Sequence, residues 1–217
     1  MNWKSKIAWI AGLTASLDIV GAADVLAVQV RLYDYADVSP AARNGAKSEA
    51  GDILERAGVR IDWAECTIRA EDAPKDPACD GPMTPLVLQI RILDPAMAKR
   101  AGTSRNCLGY AVLSGGFDSI ASVFFHRAVD LESGNLVPRQ AILGAMIAHE
   151  IGHLLLGEAG HSPAGLMRAS WADGDLKTVA KGRLSFTAEQ TRRIVDKVSM
   201  RLSKTPEHIA ARSAGRE

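Results

Sequence analysis

Strict alternation opens the readable part of the chain: Val28, Val30 and Leu32 alternate with Gln29, Arg31 and Tyr33, the pattern of a half-buried strand. Ser39-Pro40 then offers an N-cap and a proline at the first helical position. Ala42, Ala46, Ala50, Ile53, Leu54 and Ala57 form an apolar stripe, which predicts a helix ending at Gly58. Val59 to Trp63 predicts a second short strand, and residues 64–84 a loop containing Pro and Asp. Leu88, Ile90 and Ile92, set against Gln89 and Arg91, predict a third strand. Leu108 to Leu113 predicts a short fourth strand before a Gly115-Gly116 turn, and Ile120 to Val129, rich in Val and Phe, a fifth.

A helix opens at Pro138, runs through Leu156 and ends around Gly157. At 1.5 Å per residue it spans roughly 30 Å, enough to cross a domain. Residues 158–186 read as irregular. Thr187 and Gln190 form a capping box for a last helix, whose apolar face is Ile194, Val198 and Leu202. Arg192, Arg193, Lys197 and Arg201 read as its solvated face. The order β-α-β-β-β-β-α-loop-α predicts an α+β domain without repeats.

Composition narrows the picture by exclusion. A chain of 217 residues has room for one domain with a sizeable core. A net charge of +1 removes the basic excess that nucleic-acid binding needs, so no nucleic-acid partner is expected. Lys4 and Lys6 precede an apolar stretch from Ile7 to Ala23, and Val20-Gly21-Ala22 supplies small residues for cleavage, so residues 1–22 read as an export signal. With Asp18 inside it, the stretch is short and ill-suited to a membrane span, and no stable membrane association is expected after cleavage. The mature protein is expected to be secreted or periplasmic, and monomeric. Cys66 and Cys79 flank a loop carrying Pro74 and Pro77 and are candidates for a disulfide, with Cys107 left as a small buried residue. No two-plus-two cysteine spacing exists for a metal.

The chemistry sits in His149-Glu150-Ile151-Gly152-His153. Positions i and i+4 share a helix face, so two imidazoles can chelate one tetrahedral Zn²⁺ without distorting the helix. Glu150, beside the first ligand, is placed to act as a base on water rather than as a ligand. Three of the chain's 5 histidines fall between positions 149 and 161. A third ligand must come from outside the helix. Gly157 and Gly160 allow a sharp turn back to His161, with Glu158 as the nearest rival and a more distant Glu or Asp after it.

These residues resemble the metzincin clan of zinc endopeptidases, whose motif is H-E-x-x-H-x-x-G-x-x-H followed by a methionine turn. His149, Glu150, His153, a glycine and His161 match it, although the glycine falls one position late and the third histidine two. Gly165-Leu166-Met167 is similar to the methionine turn and implies that Met167 lies beneath the metal. Leu108 to Val112 occupies the place of the clan's substrate-binding edge strand, which implies peptide contacts at Gly109, Tyr110 and Ala111. Arg168-Ala169 follows the methionine where many clan members carry a tyrosine, so that role does not transfer.

The resemblance implies a zincin-like catalytic domain over residues 24–204: a mixed twisted sheet with an active-site helix in an upper part, 24–157, and a small lower part, 158–204, with one helix. Residues 205–217 would be a flexible tail. It also implies one catalytic Zn²⁺ and a peptide or protein substrate. Two other readings remain: a non-catalytic zinc-binding module of the same fold, and a zinc amidohydrolase acting on a non-protein amide.

Overall fold

A computed structural model describes residues 25–68, 76–104, 107–114, 120–134 and 136–205. The expected export signal, the Gly115-Gly116 turn and the tail from residue 206 lie outside the described residues.

The alternation of Val28, Val30 and Leu32 produces β1 (Ala27–Asp34), a strand with those three side chains buried. Helix α1 (Pro40–Arg56) starts where Ser39 accepts from the Ala42 N–H, and returns the chain to β2 (Arg60–Cys66), parallel to β1. A four-residue helix, α2 (Pro77–Asp80), follows, and Cys79 on it is joined to Cys66 by a disulfide with Cα atoms 5.6 Å apart. Strand β3 (Val87–Leu93) pairs parallel to β1 on its other side. Helix α3 (Pro95–Arg100), which the sequence pattern does not reveal, is capped by Asp94. Strand β4 (Gly109–Val112) runs antiparallel to β5 (Ile120–Phe124), and β5 is parallel to β3. The five-stranded sheet therefore has the order β2-β1-β3-β5-β4, with β4 at an edge.

Two expectations are corrected here. The fifth strand stops at Phe124, and residues Phe125–Gly134 form helix α4. A run such as Val-Phe-Phe fits either element, and periodicity alone cannot place the change. Residues 158–186 are not wholly irregular: Asp173–Ala180 form helix α6, with the Asp175 carboxylate accepting from the Ala172 N–H at 2.9 Å.

Helix α5 (Arg139–Leu156) organises the core. Every residue from Ile142 to Leu156 is buried, a largely apolar helix interrupted by His149, Glu150 and His153. It lies on the sheet face made by Ile90, Ile92, Ala121 and Val123, with α1 alongside. Helix α7 (Ala188–Leu202) covers its C-terminal end, capped by Thr187 and Gln190 as their spacing predicts. The basic residues of α7 are not all solvated. Arg201 donates to the Leu154 carbonyl at 2.5 Å, satisfying an orphan acceptor at the end of α5, and Arg193 holds Glu158. No helix among the described residues is long and apolar enough to cross a membrane.

Candidate metal centre

Polar groups inside a buried helix need partners. His149 and His153, one turn apart on α5, find theirs in the chain that follows the helix. Nδ1 of His149 lies 2.8 Å from the Leu166 carbonyl, and Nδ1 of His153 lies 2.8 Å from the Glu158 carbonyl. A carbonyl oxygen only accepts, so the Nδ1 atoms carry the hydrogens and the Nε2 atoms face inward as acceptors. The two Nε2 atoms are 3.1 Å apart. Lone pairs so close repel one another unless they share a cation.

The third imidazole arrives through a turn. Gly157 ends α5 with φ 67°, in the left-handed region that favours glycine, while Gly160 does not adopt it. The chain then brings the His161 ring to 5.4 Å from that of His149 and 5.0 Å from that of His153. One nitrogen from each histidine falls within 4.8 Å of the other two. His149 and His153 are buried and His161 is exposed, so the group sits at the bottom of an opening. Burial first, then the neighbouring imidazoles, push the His149 pKa down to about 4, and burial likewise lowers that of His153. Both rings are therefore neutral at neutral pH, the form that binds metal.

Glu158 does not join this group. Its carboxylate forms a forked contact with Arg193, at 2.6 and 3.1 Å, and only its backbone carbonyl faces the site.

Glu150 is 3% exposed, and its Oε2 is buried with no hydrogen-bond partner. Burial pushes its pKa up to about 8. The edge strand comes down directly upon it. A Cβ on Gly109 would stand 2.6 Å from Oε1 of Glu150, so only glycine fits. Met167 lies on the other side of the same helix turn. Its Sδ would be 2.6 Å from a Cβ on Gly152, and its carbonyl accepts from the Ser162 N–H at 2.8 Å. The turn is pinned further by the Leu166 N–H donating to the Ser185 carbonyl at 2.8 Å.

These groups open into a cleft of about 380 Å³. Gly109, Tyr110 and Ala111 of β4 line it, together with Arg168, Ser170 and Trp171 from the chain after α5. Sequence reasoning missed Cys107 and Trp171 as lining residues. Trp171 carried a signal in a chain with 4 tryptophans, and its indole N–H donates to the Leu166 carbonyl at 3.2 Å, the same oxygen that orients His149.

Compared with known proteins, the sequence matches no family model and no curated protein significantly. Among solved structures, it is similar to a zinc-dependent peptidase from Methanocorpusculum labreanum, with TM-score 0.50 and 15% identity over 76% of this chain and 99% of that one. It is also similar to archaemetzincin from Methanopyrus kandleri, with TM-score 0.46 and 13% identity over 82% of this chain and 98% of that one. The chain has a zincin-like fold. At such identity the likeness speaks for the fold alone. The donor set supplies the chemical half of the case: three imidazoles converging from two sides suit one tetrahedral Zn²⁺ with a position left over.

Proposed function

We propose that this protein is a zinc-dependent endopeptidase, with His149, His153 and His161 as ligands and Glu150 as the general base. The observation that carries the reading is the convergence of three imidazoles beside a buried carboxylate whose Oε2 has no partner among the described residues, under β4, the edge strand of the described sheet. A structural metal site needs no carboxylate there, so the non-catalytic reading leaves Glu150 without a purpose.

Each residue has a distinct task. The backbone of β4, at the edge of the sheet, offers hydrogen bonds to an extended peptide lying antiparallel to it, which favours a peptide over another amide. When bound, Zn²⁺ supplies Lewis acidity to a water and to the scissile carbonyl, and its charge draws the Glu150 carboxyl back towards ionisation. Glu150 removes the proton from the attacking water and returns it to the leaving amine. The Leu166 and Glu158 carbonyls fix the tautomers of His149 and His153, while Met167 packs against Gly152 of the same helix.

We also propose that the protein is exported. The basic and apolar pattern of residues 1–22 and the Cys66–Cys79 bridge both support an oxidising destination.

The test pairs metal content by mass spectrometry with cleavage of a peptide library, with and without a chelator. One zinc per chain and chelator-sensitive cleavage are expected. Glu150→Gln should keep the zinc and the fold while losing at least about a hundredfold in kcat. Activity within a few-fold of wild type would remove Glu150 from the reaction.

A further inference from the structure

We propose that Arg168 makes this cleft selective for peptides that carry a carboxylate, an inference that rests on the peptidase reading and names its substrate class. Arg168 and Glu150 are the only lining residues among the described ones with an ordinarily charged side chain. Among the described residues, and before any metal is bound, Arg168 is therefore the one guanidinium or ammonium lining the cleft.

Three observations say that its charge is available to a ligand. Among the described residues its one ion pair is Nη1 to Oδ2 of Asp175 at 3.3 Å, and that same oxygen already accepts from the Ala172 N–H. The Arg168 side chain is 39% exposed and that of Asp175 16%, so Arg168, a lining residue of the cleft, is the more accessible member of the pair. Among the described residues Arg168 pairs with Asp175 and not with Glu150, whose Oε2 has no hydrogen-bond partner, so the guanidinium is not spent on that carboxylate. The backbone beneath is held in place, since Met167 and Leu166 on one side and Trp171 on the other are hydrogen-bonded to fixed partners. A planar fork on a rigid turn, with donors to spare, is suited to a carboxylate approaching two-pronged. Asp175 orients that fork without saturating it, because a half-exposed ion pair is weak enough to share.

A carboxylate can come from an Asp or Glu side chain or from a free peptide C-terminus, and three probes separate them. They are a glutamate-containing peptide with an amidated end, its glutamine counterpart with the same end, and the glutamine peptide with a free end. Binding to the metal-free protein is followed by Trp171 fluorescence, and cleavage by the zinc-loaded protein in parallel. One carboxylate peptide is expected to bind about tenfold tighter than the amidated glutamine peptide, as one charge-assisted fork implies. Preference for the glutamate peptide identifies the side chain, and preference for the free end identifies the terminus. Arg168→Gln should abolish the preference, and Arg168→Glu should transfer it to a lysine-containing peptide.

Should a variant fail to fold, wild-type binding across a salt series decides, since a charge contact in an open cleft must weaken with ionic strength. Equal affinity for all three probes, a preference that survives Arg168→Gln, or a preference indifferent to salt would overturn the proposal. Carboxylate preference without any cleavage would sink the peptidase reading and leave this inference standing. Cleavage of all three probes alike, with equal binding, would do the reverse.

Discussion

Gly109 and Glu150 illustrate how a residue with no chemistry can govern one that has it. The Glu150 carboxylate occupies space that exists only because position 109 has no side chain. If Glu150 is the base we propose, Gly109→Ala, whose Cβ would meet the Ser122 carbonyl at 2.5 Å and Glu150 Oε1 at 2.6 Å, should lower kcat by about tenfold or more while zinc content stays at the wild-type level. Activity within twofold of wild type would show that the carboxylate can move freely. Glu150 itself makes the metal-free protein sensitive to alkali. Its folded pKa is raised, to about 8 from 4.5, so its contribution to stability is whole below about pH 4.5 and is lost as pH rises towards 8. Metal-free Glu150→Gln should lack that decline and exceed wild type in stability at pH 8, as denaturant titrations at several pH values would reveal. Parallel pH profiles for the two proteins would mean that Glu150 is not desolvated.

At the scale of elements, α5 and its surroundings explain what the sequence made legible. The spacing of His149 and His153 is local, so a helix period suffices to place both on one face. Thr187 with Gln190, and Ser39 before Pro40, likewise announce helix starts through local hydrogen bonds that the structure contains. What stayed hidden depends on contacts distant in sequence. Nothing near Arg201 says that it will cap α5, because its partners lie at Leu154 and Leu155. Nothing near Arg193 says that it will hold the Glu158 carboxylate away from the imidazoles. The choice between His161 and Glu158 was open for that reason. Short elements such as α6 and the junction of β5 with α4 were missed because four to ten residues rarely complete a distinguishing period. The α7 contacts differ in expected weight. Arg201→Ala removes a partner of carbonyls at the end of a buried helix and should cost about 1–3 kcal/mol in chemical denaturation. Arg193→Ala breaks a half-exposed, solvent-screened pair and should cost clearly less than Arg201→Ala. A larger loss for Arg193 than for Arg201 would contradict this picture of how α7 clamps α5.

On the scale of the whole molecule, the disulfide and the candidate metal centre are placed at opposite borders of one sheet. The Cys66–Cys79 bridge ties α2 to β2, the strand at one edge, while the histidines sit beside β4 at the other. Four strand spacings separate these edges, about 19 Å. The bridge closes a loop with a sequence separation of 13, which limits its contribution to about 3 kcal/mol. Metal would instead fasten the segment from Glu158 to Met167 beneath α5, adding stability in proportion to its affinity and concentration. Sites so far apart with no shared partner should contribute independently. Chelation should thus lower the melting temperature of the Cys66→Ser/Cys79→Ser variant and of wild type by the same free energy, to within about 0.5 kcal/mol, with zinc restoring each. Calorimetry of the four states checks this. A chelation penalty that differed by more than about 1 kcal/mol between the two proteins would mean that strain passes through the sheet from one edge to the other. The disulfide would then belong to the energetics of the metal site rather than to the local staple that its place on β2 implies.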